Sequence, residues 1–115
     1  HGAPRRRTDA LLHEARKQAR TARYAAEVAR PALGRDAKRY ARAMEALQEV
    51  LGEHQDTVVA RDRLAGLAHE TADPRAAYAY GRLHAQEEAR GRDARHRARR
   101  VADRAARPRV RRWLG

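Results

Sequence analysis

Cysteine, serine, asparagine, isoleucine and phenylalanine are all missing from this sequence of 115 residues. Without cysteine there is no disulfide, no thiolate ligand and no thiol nucleophile, and without serine a second common nucleophile is gone. The threonines, at positions 8, 21, 57 and 71, stand beside no histidine that would activate them. No Gly-x-x-x-x-Gly-Lys loop, zinc-ligand spacing or convincing pair of carboxylates occurs either. No enzyme, no metal and no cofactor is therefore expected. Long apolar runs are absent as well, and no charged region followed by an apolar stretch opens the sequence. The expectation is a single small soluble domain, cytoplasmic and without a membrane partner.

What the chain has instead is positive charge. Lys and Arg number 27 against 15 Asp and Glu, a formal net charge of +12. Only Lys17 and Lys38 are lysines. GC-rich coding can set such an Ala- and Arg-rich composition, but it does not set where the charge sits. Residues 1–42 hold twelve basic and four acidic side chains, residues 43–73 two and seven, and residues 74–115 thirteen and four. Arginine suits phosphate oxygens because its planar fork of donors stays charged at any relevant pH.

One stretch concentrates this chemistry. Leu12, Ala15, Ala19, Ala22, Ala26 and Ala29 step by three and four, the spacing of a buried helix seam. His13, Arg16, Arg20 and Arg23 follow one residue later, about 100° around the helix, with Lys17 and Tyr24 beside them. Like charges three or four apart repel. A polyanion would relieve that cost.

The run Leu12-His13-x-x-Arg16-Lys17-x-x-Arg20-x-x-Arg23-Tyr24 resembles the signature of the CHAD family, the conserved-histidine α-helical domains. Leu47-Gln48-Glu49-Val50-Leu51-Gly52 followed by Asp56 is similar to that family's second landmark, and Gly81, Leu83 and Trp113-Leu114 also suit it. Thr21 departs from the pattern, which carries a second basic residue after position 20, and so costs one cationic contact. The resemblance extends over residues 9–114 and is to the C-terminal half of a two-part domain. It implies a helical bundle that binds inorganic polyphosphate through basic helix faces, in association with polyphosphate granules. It also implies that a homodimer, or a separate N-terminal half, would complete the domain.

Taken in order, residues 1–7 read as a flexible basic tail and residues 8–115 as the bundle. Thr8 or Asp9 would cap a first helix ending near Arg30, where Pro31 and Gly34 would stop it. A second helix, with the stripe Ala37, Tyr40, Met44, Leu47 and Leu51, would end at Gly52. Asp56 would cap a third, from 57 to 70, and Asp73 with Pro74 would open a long fourth, from 74 to 106. The fourth seam reads Ala77, Tyr80, His84, Glu87, Gly91, Ala94, Ala98, Val101 and Ala105, and its lack of bulk implies that it either extends beyond the bundle or meets another chain closely through its small residues. Val110, Trp113 and Leu114 would fold back onto the bundle. The fold expected is thus all-α, an antiparallel four-helix bundle with a long fourth helix.

The candidate phosphate rail is Arg16, Lys17, Arg20 and Arg23 with Lys38, Arg39 and Arg42, and His13 is a partly charged contact. In an antiparallel first hairpin Arg42 lies across from Arg23, while Glu45 and Glu49 lie across from Arg20 and Arg16. His13 is read either as a structural histidine beside the seam or as a phosphate contact. The tyrosines at 24, 40, 78 and 80 are read as packing rather than as platforms for bases. Two rival functions share these features: a nucleic-acid-binding helical module, and a structural or dimerisation domain whose arginines only solubilise.

Overall fold

The computed structural model describes residues 2–107. It is helical throughout apart from the turn at 71–73 and the last two of these residues. Helical geometry runs over Gly2–Glu70 but is broken at Gly34, whose φ of 62° and ψ of −127° lie outside any helix. We name the arms α1, residues 2–33, and α2, residues 35–70; α3 is Pro74–Ala105. The bundle therefore has three helices among the described residues, not the four expected.

The physical reason lies at Gly52 and Asp56. A glycine can end a helix, yet in a run of good helix formers it costs only about 1 kcal/mol. Beyond Gly52 the side chains of His54, Thr57 and Arg61 continue the inward-facing spacing and are all buried. The helix that carries them is held by its packing, so Asp56 stays exposed within it rather than capping a new one. At the other end α1 begins at Gly2, so residues 2–7 are helical where a tail was expected. Thr8 and Asp9 consequently lie inside α1 and cap nothing. Pro31 sits within the last turn of α1, where it withholds one amide from the carbonyl four residues back, and the helix ends at Gly34, three residues on.

The last helix starts as its sequence dictates. The Asp73 carboxylate accepts a hydrogen bond from the Arg75 amide at 3.0 Å, and Pro74 occupies the first turn, where no donor is needed. The small stripe is consumed inside the chain: Gly91, Ala94, Ala98 and Ala105 are buried against its own helices. A Cβ on Gly91 would stand 2.9 Å from Thr57 Oγ1, so only glycine lets α3 approach α2 this closely. Glu87, awkward in a core, turns to accept a 2.8 Å hydrogen bond from Arg90.

The seams of α1 and α2 are buried or half-buried as their spacing predicts, and Ala19, Met44 and Ala105 join all three helices in one cluster. The core is mostly alanine. The molecule is accordingly long and thin, 61 × 21 × 19 Å, with a radius of gyration of 18.0 Å, against about 13 Å for a compact chain of this length. Val110, Trp113 and Leu114 lie outside the described residues. No helix among the described residues is long and apolar enough to cross a membrane.

Candidate functional site

The register of α1 against α2 decides which charges meet. Asp9 reaches His54 and Arg61, Arg16 lies against Gly52, and Ala19 clusters with Met44, so the two helices run antiparallel. That register brings Arg42 level with Arg23, as the hairpin reading expected.

The rail residues do not share one depression: those of α1, with His13, divide among three, and Lys38, Arg39 and Arg42 line none of them. Lys17, Arg20 and Arg23 line the first with Thr21 and Tyr24, a concavity of about 460 Å³ with no carboxylate among its lining residues. Arg16 and Arg23 line the second, about 490 Å³, where Glu45, Glu49, Glu53 and Asp56 face them. His13 lines the third, with Arg6, Asp9 and Asp62. Lys38 and Arg39 are half-buried near the start of α2, and Arg42 is exposed one turn on.

The electrostatics of these places differ. In the first depression Lys17 pairs with Glu14 at 3.7 Å and Arg23 with Glu27 at 3.6 Å. Those pairs are exposed to solvent or nearly so and are worth about 0–1 kcal/mol, little enough for a polyanion to displace. Arg20 is exposed and has no ion pair among the described residues. In the second, four carboxylates already answer two guanidiniums, and Arg16 is half-buried. Of the expected rail, Lys17, Arg20 and Arg42 are exposed, and Arg23, like Arg16, is half-buried. His13 Nδ1 is buried without a hydrogen-bond partner.

Tyr24 is 69% exposed and belongs to the site, not to the core. Tyr78 is equally exposed, with the Arg82 guanidinium 5.9 Å from its ring centre. Two of the four tyrosines therefore do not pack as expected. Tyr24 was legible in principle, since it lies on the Arg20 side of the seam.

A second polar assembly was not legible. Arg61 donates to Asp9 Oδ2 at 3.2 Å and, more weakly, to the Thr57 carbonyl at 3.4 Å. His54, fully buried, places Nε2 3.3 Å from Asp9 Oδ1 without hydrogen-bond geometry. Burial pushes the His54 imidazole below its ordinary pKa; Asp9 opposes this, while Arg95 and Arg61 reinforce it. Thr57 lies close to His54, but its hydroxyl donates to the His54 carbonyl at 2.7 Å and is buried. This cluster ties α1 to α2 and offers no reachable nucleophile. Near it, Arg97 donates to Glu53 at 2.6 Å, and that bond holds the Glu53 carboxyl below its usual range. No group of three metal-ligating side chains occurs among the described residues.

Against this geometry, the CHAD domain pattern matches residues 1–65, more than half of the chain. The match spans α1 and most of α2 and stops before α3, which corrects the expected extent of 9–114 and its assignment to the C-terminal half. Comparison with curated proteins and with solved structures gives no significant match.

Proposed function

We propose that this chain, which belongs to the CHAD-domain family, is a non-catalytic binding module for inorganic polyphosphate. CHAD domains are associated with polyphosphate binding in general. The observation that carries the reading here is the first depression, where Lys17, Arg20 and Arg23 line one concavity and are answered only by the weak pairs of Lys17 to Glu14 and Arg23 to Glu27. Guanidinium and ammonium donors supply charge and hydrogen bonds to phosphate oxygens, and the Tyr24 hydroxyl adds a neutral donor, while the Thr21 hydroxyl already donates to the Lys17 carbonyl at 3.2 Å. Arg42, level with Arg23, extends the positive field toward the turn at Gly34. His13 stands apart among carboxylates and contributes at most at the edge.

A nucleic-acid reading uses the same charges. The polyphosphate reading is favoured because the site has one exposed aromatic side chain, Tyr24, where a stacking platform needs several. The test is a titration of labelled polyphosphate against the chain and against the Lys17→Ala, Arg20→Ala, Arg23→Ala combination. The tightest phase should weaken about tenfold to a hundredfold at 150 mM salt, from loss of three contacts worth up to about 1 kcal/mol each. Helical content should not change, since none of the three is buried. A combined variant that keeps wild-type affinity in that phase places the site elsewhere.

A further inference from the structure

The family match ends at residue 65, and the whole of α3 lies beyond it. The face of α3 opposite its buried stripe carries Arg92, His96 and Arg100, flanked by Arg99 and Arg104, all exposed, and the exposed Arg107 follows just past the end of the helix. Residues 90–107 hold eight arginines and only two carboxylates, Asp93 and Asp103. Two of the eight are engaged, Arg90 with Glu87 and Arg97 with Glu53. The other six have no ion pair among the described residues.

This arrangement costs stability. Arg92 and Arg95, Arg95 and Arg99, Arg97 and Arg100, and Arg100 and Arg104 are like pairs three or four residues apart on the helix, and each repels. Solubility alone does not call for such a face in a chain whose net charge is already +12.

We infer that the outward face of α3 is a second, weaker binding surface for polyphosphate, which lets one chain hold two polymer strands. The inference rests on the polyphosphate reading of α1. Both basic faces point away from one shared core on different helices, so they diverge and a single strand cannot lie along both. The α3 face is weaker because Asp93 and Asp103 interrupt it; at its edge Arg95, His96 and Arg99 line a depression of about 480 Å³ with Thr8, Leu12 and Ala15 of α1. A narrow linear polyanion fits it better than a duplex. The bundle is only 21 × 19 Å in cross-section, so a duplex along α3 would overhang α2 on one side. There Glu45, Glu49, Glu53 and Asp56 are exposed and would repel its second strand.

The test compares wild type, the α1 combination above, and an α3 combination of Arg92→Gln, Arg100→Gln, Arg104→Gln and Arg107→Gln. Glutamine keeps the apolar stem and the helix propensity, and none of the four arginines is buried or paired, so the fold is retained. With polyphosphate chains too short to reach both faces, calorimetry should count two per wild-type molecule and one per molecule of either combination. With long chains, wild type should raise light scattering by linking strands, and either combination should bind without doing so. The α3 combination should also flatten the log–log salt dependence by roughly three, from about 0.7 for each lost phosphate contact. Two short chains still bound by the α3 combination, or unchanged scattering, overturns the inference and leaves the α1 reading intact. Duplex DNA displacing polyphosphate from the α1 combination at equal phosphate overturns it in favour of a nucleic-acid face. No polyphosphate bound by wild type at all removes both readings.

Discussion

Asp9 shows how a residue's role is set by partners far away in sequence. It was read as a helix cap; it is instead the counter-charge of Arg61, 52 residues on, within a mostly buried cluster. Removing one member of a buried pair leaves the other charge stranded, at a cost of about 3–5 kcal/mol. Asp9→Ala should lower unfolding free energy by that order in urea titration, whereas Asp62→Ala, an exposed carboxylate nearby, should change it by less than about 0.5 kcal/mol. His54 gives the cluster a pH dependence. Its folded pKa lies below its unfolded value of about 6.5. The unfolded chain therefore takes up the proton first, so the stability that His54 contributes is complete above pH 6.5 and is lost as pH falls below it. Melting temperature should drop between pH 7.5 and 5.5, and His54→Gln should reduce that drop; an equal drop in both would mean that His54 is not its source. The helical steps from His54 to Thr57 and Arg61 are visible in the sequence as polar residues at inward spacing. Their partner on α1 is not, because nothing local links position 9 to position 61.

Elements that are set by local chemistry are legible; those set by packing are not. Asp73-Pro74 opens α3 where the capping rules put it, and the alanine seams of α1 and α2 follow their three–four steps. Gly34 and Gly52 look alike in the sequence as helix stops, yet only Gly34 breaks the chain. Gly34 takes a backbone conformation nearly closed to other residues, so Gly34→Ala should cost about 1–3 kcal/mol. Gly91 is a different case, required for space rather than for its dihedrals. Overpacking of a buried site costs about 1–3 kcal/mol, and alanine's better helix propensity returns about 1 kcal/mol. Gly91→Ala should therefore be destabilising by up to about 2 kcal/mol by these two contributions, because Thr57 can retreat only by giving up its bond to the His54 carbonyl. A stabilised Gly91→Ala protein would show that α2 and α3 are looser than this. The candidate site was legible in part. The row at 16, 20 and 23 was plain from its spacing, but its division between an open depression and an acid-lined one depends on which face of α2 lies opposite.

At the scale of the whole molecule, a narrow bundle with a mostly alanine core carries basic faces on α1 and α3 and acidic residues on α2. Such a body attracts polyanions at long range, and that attraction weakens with salt whatever the polymer. Charge alone therefore separates polyphosphate from nothing else, and preference must be measured at fixed ionic strength. The most direct measurement is a competition at 150 mM salt, where the screening length is about 8 Å. Labelled polyphosphate bound to the full chain is challenged with single-stranded and duplex DNA at equal phosphate concentration, and in the reverse order. Polyphosphate should displace both nucleic acids and neither should displace it, since the open depression offers donors to phosphate and little to bases. Displacement of polyphosphate by either nucleic acid, or no binding of polyphosphate at this salt, would contradict this.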